Sequence, residues 1–209
     1  MIRFSEKIEE YTFNGCATCK ECCEGKRFVL APLILEDFKV VVGFFPILFG
    51  YIDNELKVFM LFGNGEETCP YLVNDFCSIY TTRPPACRTY PLTPYYDKIL
   101  CDTTCPAVDS IEISPSGIKF KEATDVNPIF YNERFKGFEE KLERTTKWLK
   151  EVEKDLIPMG HSVKTIELFR LPIGYRKDTY VDMHVNSLSK LNIFKEPIKD
   201  NLLNKDTRC

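Results

Sequence analysis

Histidine and tryptophan are scarce in this chain of 209 residues, which contains two histidines and a single tryptophan. Both histidines, His161 and His184, lie in the C-terminal half, so a local zinc finger of mixed cysteine and histidine ligands is excluded from the N-terminal half. Basic residues are not in excess either, since 28 Lys and Arg stand against 31 Asp and Glu. This charge balance does not favour a nucleic-acid partner, because such proteins usually carry a basic stripe.

Long hydrophobic runs are also missing. The longest, residues 40–52, is interrupted by Gly43, Pro46 and Gly50 and is shorter than the ~20 residues that a membrane-spanning helix needs. We expect this run to form a buried helix pair or a helix followed by a turn, and we expect no membrane span. Residues 1–12 contain neither an apolar run nor a cleavage site of small residues, so no secretory signal is expected and a cytoplasmic location is predicted.

Cysteine, in contrast, is abundant. Nine of the ten cysteines fall between positions 16 and 105, and only Cys209 lies outside. In a reducing compartment disulfides are rare, and clustered thiols more often bind metal or carry out redox chemistry. The alternatives are a disulfide framework and a set of free buried thiols. The asymmetry predicts two parts, a cysteine-cluster metal-binding domain over residues 1–108 and a hairpin with a helical region over 109–209.

The first cysteine motif is Cys16-Ala-Thr-Cys19-Lys-Glu-Cys22-Cys23. A Cys-x-x-Cys spacing lets two sulfurs reach one ion from a tight turn. The side chains of adjacent cysteines diverge, so Cys22 and Cys23 indicate two metal positions or a multinuclear cluster.

The later cysteines can complete such a site. One structural zinc ion or one iron–sulfur cluster usually takes four thiolates. Four ligands come from the first motif, so the count allows two sites or one shared site. The later candidates are Cys69, Cys77, Cys87 and Cys105, with Cys101 either a spare ninth thiol or a competitor of Cys105.

The remaining sequence predicts an α+β fold: a small cysteine-rich, metal-organised domain with a mostly helical C-terminal region. Residues 66–105 contain too many prolines to form long regular elements. A strand is predicted at 57–62, and a hairpin at 111–114 and 117–122. Helices are predicted at 5–14, from Ala31-Pro32 onwards, from Asn127-Pro128 to just before Pro158, at 162–170 and at 179–192.

The cysteine pattern is shared with a known family. The matching residues, in chain order, are Cys16, Cys19, Cys22 and Cys23, then Cys69-Pro-Tyr-Leu72, then Cys77-Ser-Ile-Tyr80-Thr-Thr-Arg83-Pro84-Pro-Ala-Cys87-Arg88-Thr-Tyr90-Pro91, and Cys105-Pro106. Through these residues the chain resembles the YkgJ-type cysteine-cluster family, whose members carry a Cys-x-x-Cys-x-x-Cys-Cys domain described as zinc- or iron-chelating. The resemblance spans about residues 14–108.

The resemblance implies a site for zinc or iron, including an iron–sulfur cluster, made from eight cysteines. These are Cys16, Cys19, Cys22, Cys23, Cys69, Cys77, Cys87 and Cys105, and Cys101 lies outside the pattern. The family has no settled reaction, so no catalytic residue is assigned.

Two other functions stay open. A related cysteine pattern occurs in a bacterial flagellin lysine N-methylase, which implies an S-adenosylmethionine-dependent protein lysine N-methylase-like enzyme as the alternative. The chain shows no glycine-rich strand–turn–helix of the usual methyltransferase type, and Gly63-Asn-Gly65 is interpreted as a turn. A third hypothesis is an adaptor whose C-terminal helices bind a protein partner.

Overall fold

The structure is a computed structural model, and it describes residues 3–14, 20–24, 29–63, 65, 67–95, 98–110, 117–120, 133–163 and 165–194. These residues form an α+β fold, as the sequence predicts. The strands are β1 (Phe4–Ser5), β2 (Tyr11–Phe13), β3 (Leu30–Pro32), β4 (Ile47–Ile52), β5 (Glu55–Leu61), β6 (Leu72–Val73), β7 (Phe76–Cys77), β8 (Leu92–Tyr95), β9 (Lys98–Asp102), β10 (Val108–Ser110), β11 (Ile118–Lys119), β12 (Ile157–Val163) and β13 (Ile166–Arg170). The α-helices are α1 (Phe38–Val41), α2 (Pro85–Thr89), α3 (Phe138–Val152) and α4 (Thr179–Ser187).

The largest sheet has five antiparallel strands in the order β12-β13-β4-β5-β3. Its centre is the β4–β5 hairpin, whose two turn residues Asp53 and Asn54 have φ angles of 51° and 63°. Two successive residues in the left-handed region make a type I′ turn, which matches the twist of the flanking strands. On the other side of β4, a Cβ atom at Gly50 would lie 2.6 Å from Ile166 Cγ2, so glycine is what lets β13 approach β4.

The C-terminal part of the chain contributes two strands to this sheet. Strand β13 pairs with β4 through Phe169 opposite Phe49, and β12 pairs with β13. One apolar cluster also runs from Val29 to Phe194 along the chain. The predicted boundary at 108/109 therefore passes through a chain whose two sides share a sheet and a core.

Helix α3 packs on this sheet through one apolar side, as its three- and four-residue spacing predicts. Trp148 contacts Phe49 with ring centroids 6.0 Å apart and meets Phe38 edge-on at 5.8 Å. Its indole N–H donates to Asp178, whose carboxylate also accepts the backbone N–H groups of Tyr180 and Val181 at the start of α4. The cap of α4 is thus fixed to α3.

Several predicted elements are confirmed. The strand predicted at 57–62 is β5, and the helix predicted at 179–192 is α4 followed by a 3-10 helix at Leu188–Ile193. The helix predicted to end before Pro158 is α3 with a 3-10 turn at Glu153–Asp155, while its predicted start at 127–128 lies outside the described residues. In the described part of residues 66–105, all helices and strands are short, as the proline content predicts.

Other predictions are wrong because strand pairing overrides the local pattern. Residues 162–170 form strands β12 and β13 and the turn between them, and the second half of the apolar run 40–52 is strand β4. The segment 5–14 contains the end of β1, a 3-10 turn at Ile8–Glu10 and strand β2. Ala31-Pro32 ends edge strand β3, so the helical turns begin at Leu35.

The described residues also form three smaller sheets. They have the orders β1-β9-β8, β10-β2-β11 and β6-β7. Residues 111–116 of the predicted hairpin lie outside the described residues, and β11 pairs with β2. Within the described ranges, no helix is both long and apolar enough to cross a membrane.

Candidate metal centre

The fold sorts the described cysteines into two groups. Cys23, Cys69 and Cys87 pack in or against the larger apolar cluster, whereas Cys101 and Cys105 lie in a second apolar cluster. Charge interactions couple the first group with Cys22 and Cys77 as well. We refer to Cys22, Cys23, Cys69, Cys77 and Cys87 as the five-cysteine group, and to Cys101 and Cys105 as the cysteine pair.

A backbone hydrogen bond joins the first two segments of the five-cysteine group. Cys22 and Cys23 lie on a 3-10 helix, Glu21–Cys23, and their side chains are hydrogen-bonded to each other. The N–H of Cys69 donates to the carbonyl of Cys23 at 2.7 Å. Two segments more than forty residues apart are thereby held side by side at their cysteines.

The backbone around Cys69 is arranged to favour a thiolate. The chain turns directly after it, with Leu72 N–H donating to the Cys69 carbonyl at 2.9 Å. The backbone N–H groups of Tyr71 and Leu72 in this turn also stabilise the charged form of the Cys69 sulfur and lower its pKa. The Tyr71 hydroxyl donates to the Phe44 carbonyl at 2.9 Å, which anchors the turn on the core. Hydrogen bonds to the ligating groups are typical of metal sites, because they orient the ligands and tune the metal.

Cys77 is positioned by the β6–β7 hairpin. It lies opposite Leu72 across the pair, so the same hairpin connects it to the Cys69 turn. Asn74 and Asp75 form the type I′ turn, with φ angles of 50° and 66°. The Lys20 ammonium lies 2.6 Å from the Asp75 carboxylate and ties the hairpin to the residue that precedes the Cys22–Cys23 helix.

Helix α2 positions Cys87. Pro85 occupies the first turn of this short helix, where a missing N–H costs nothing. The N–H of Cys87 donates to the Pro84 carbonyl at 2.9 Å. Arg134 Nη1 donates to Thr89 at the other end of α2 at 2.7 Å, which fixes the helix to the interior.

The electrostatics of the group oppose free thiolates. Burial is the largest influence on Cys69 and raises the pKa of its thiol to about 11, with further contributions from Cys77 and Cys22. Burial and the charges of Cys69 and Cys22 also raise the pKa of Cys87, while the Arg83 guanidinium lowers it. The hydrogen bond to Cys23 raises the pKa of Cys22. A bound cation reverses this balance, because coordination removes the proton and offsets the repulsion between sulfurs.

The cysteine pair occupies a different environment. Burial raises the pKa of Cys101 to about 12, and Cys105 and Asp102 add to the rise. The buried Asp102 carboxylate accepts hydrogen bonds from the Tyr90 hydroxyl at 2.7 Å and from the Thr104 hydroxyl at 2.6 Å. The predicted ligand Cys105 therefore shares its apolar cluster with Cys101, not with the five-cysteine group.

The donor set suits a thiophilic metal, although the described part of the chain does not complete a site. Among the described residues, no three His, Cys, Asp or Glu side chains are already arranged to hold a metal ion. The predicted ligands Cys16 and Cys19 lie outside those residues, as does Cys209. The donors that do converge are all sulfur, which is the chemistry of structural zinc sites and iron–sulfur clusters.

Sequence reasoning missed two features that position the sulfurs. The Asn74-Asp75 dipeptide between short apolar pairs favours a two-residue hairpin, which is not among the predicted elements above. The hydroxyl of Tyr71 anchors the Cys69 turn. No local sequence pattern predicts this hydrogen bond, because its acceptor lies in the loop after α1.

Comparisons with protein-family models, with curated proteins and with solved structures find no match to this chain.

Proposed function

We propose that this protein binds zinc or iron through its cysteines, with the five-cysteine group as the centre of the site. The observation that carries the proposal is the convergence of cysteines from four separate segments: the 3-10 helix at 21–23, the turn after Cys69, strand β7 and helix α2. An unrelated set of buried thiols would have no reason to be brought together by dedicated backbone contacts.

The second support is the hydrogen bonding of the Cys69 sulfur. Two backbone N–H groups stabilise its charged form, although burial opposes that form. This conflict is relieved when the thiolate binds a cation. The Cys-x-x-Cys spacing adds Cys16 and Cys19 to the proposed ligands, because both belong to the same sequence motif as Cys22 and Cys23. The resemblance to the YkgJ-type cysteine-cluster family agrees with this set and adds Cys105. A cytoplasmic location, where thiols stay reduced, belongs to the same proposal.

Elemental analysis of anaerobically purified protein tests the proposal. We expect at least one zinc or iron per chain in the wild type. A visible absorption band from thiolate-to-iron charge transfer would select iron over zinc. Less than one metal ion per chain, together with thiols that all titrate freely, would contradict the proposal.

Matched serine variants distinguish the two groups of cysteines. Cys69→Ser should lose metal, because it removes the sulfur that receives the backbone hydrogen bonds, whereas Cys101→Ser should retain it. Circular dichroism of both variants checks that they are folded. Equal metal retention in the two folded variants would contradict the assignment of the site to the five-cysteine group. Cys105→Ser then shows whether the remaining predicted ligand belongs to the site.

A further inference from the structure

A cleft opens between helix α3 and the end of the five-stranded sheet, and none of its described lining residues is a cysteine. Its volume is about 280 Å³. Leu142, Thr145 and Leu149 line it from α3, and Leu33 and Val58 line it from the sheet side. Pro94 and Tyr95 of strand β8 also contribute to its wall.

The cleft has an apolar interior. Ile34, Val58 and Leu149 are buried there, and they belong to the two apolar cores of the molecule. The α3 residues that line it are spaced three and four apart, so they lie on one side of the helix. Such a cavity, apolar inside with a few polar groups at its edge, is the usual form of a small-molecule site.

The charged groups at the edge of the cleft differ in whether they already have a partner. Glu55 is 2.6 Å from the Lys57 ammonium, and Glu153 accepts a hydrogen bond from the Tyr51 hydroxyl at 3.1 Å. Lys150, also a lining residue, is exposed and has no hydrogen-bond or ion-pair partner among the residues that the structure describes. The edge therefore offers one uncommitted positive charge beside acids that are already engaged.

We propose that this cleft binds a short linear aliphatic carboxylate, with its chain between α3 and the sheet and its carboxylate at Lys150. This inference is independent of metal binding. The volume accommodates about nine groups the size of water at ~30 Å³ each, which suits a chain of about eight carbons. The apolar lining selects the chain, and the Lys150 ammonium selects the anion.

Calorimetry of the full-length protein with sodium octanoate tests the proposal. We expect binding with a dissociation constant below 1 mM. Each methylene buried contributes about 0.8 kcal/mol, or roughly fourfold in affinity, so hexanoate should bind roughly tenfold more weakly or worse. An affinity that does not change with chain length, or no binding of octanoate below 1 mM, would overturn the proposal.

The role of Lys150 is tested by charge reversal. Lys150→Glu should weaken octanoate binding at least tenfold and leave the binding of neutral octanol unchanged. Lys154→Glu is the matched control, since this lysine follows on the 3-10 turn after α3 and does not line the cleft. If both variants lower octanoate affinity equally, the lysine acts through general charge and the proposed carboxylate position is wrong.

Discussion

His184 joins helix α4 to the central sheet and should make the protein sensitive to acid. Its ring is fully buried, with Nδ1 2.7 Å from the Ile47 carbonyl and Nε2 3.0 Å from the Leu171 nitrogen. A backbone N–H can act only as a donor, so Nε2 must be the unprotonated nitrogen that accepts from Leu171. Nδ1 therefore carries the proton and donates it to the Ile47 carbonyl. A second proton on the ring would break the hydrogen bond to Leu171.

The expected loss of stability follows from the pKa of this ring. Burial lowers the pKa of His184 from 6.5 to about 4, although the hydrogen bond to Ile47 acts in the opposite direction. The unfolded chain therefore binds a proton at pH values where the folded protein does not. The resulting stability is complete above pH ~6.5 and is lost as the pH falls towards ~4. The loss is about 2 kcal/mol between pH 7 and pH 5 and about 3 kcal/mol in full, at ~1.4 kcal/mol per pKa unit.

Urea denaturation at pH 7, 6 and 5 measures this loss, with the fluorescence of Trp148, the single tryptophan, as the signal. His184→Asn removes the titrating ring, although its amide can still donate to the Ile47 carbonyl. We expect the variant to be about 1–3 kcal/mol less stable at pH 7, because the buried Leu171 N–H loses its acceptor. The difference in unfolding free energy between the wild type and His184→Asn should then shrink by about 2 kcal/mol on going to pH 5.

The comparison between variants removes the contribution of other titrating groups, including any loss of metal in acid. His161→Asn, which replaces the other histidine, is the control. Adding His184→Asn to it should change the free energy of unfolding at each pH by the same amount as in the wild type. If the stability of His184→Asn falls as steeply with acid as that of the wild type, a buried neutral His184 is not the cause of the pH dependence.

Two further predictions concern the core. Arg134→Met should cost about 3–5 kcal/mol of unfolding free energy, because Asp37, 3.3 Å from Arg134 Nε, would remain buried without its ion-pair partner and with the Ile34 N–H as a hydrogen-bond donor. Chemical denaturation measures this cost, and a value below ~1 kcal/mol would refute it. Gly50→Ala should cost about 1–3 kcal/mol in the same assay, because the added methyl would lie 2.6 Å from Ile166. Gly43→Ala is its control, with a nearest atom at 3.5 Å, and an equal cost in both variants would contradict this explanation.

The elements that the sequence predicts correctly are those determined by local pattern. The apolar residues of α3 recur every three or four positions, and β5 combines β-branched and aromatic residues before a glycine. Both signals are contained within about fifteen residues. The strands β12 and β13 carry no such signal, because β12 pairs with β13 and β13 joins the sheet through β4, a segment more than one hundred residues earlier. A short apolar segment fits a helix or a strand equally well until its partner is known.

The candidate site shows the same division. The number and spacing of the cysteines indicate that they act together, and the fold brings five of them into one group. Spacing did not reveal that Cys105 would share its environment with Cys101, because that depends on the β8–β9 hairpin and the second apolar cluster. The stabilisation of the Cys69 thiolate by backbone N–H groups likewise depends on how residues 69–72 turn. The Pro-Tyr-Leu sequence after Cys69 does not by itself determine that turn.

X-ray absorption spectroscopy at the zinc or iron edge of the anaerobically purified protein tests the central proposal most directly. For zinc, metal binding through the cysteine group predicts a first coordination shell of sulfur alone, at about 2.3 Å from the metal. The same spectrum should be lost in Cys69→Ser and retained in Cys101→Ser. A first shell made mainly of nitrogen or oxygen, or a spectrum unchanged in Cys69→Ser, would contradict it.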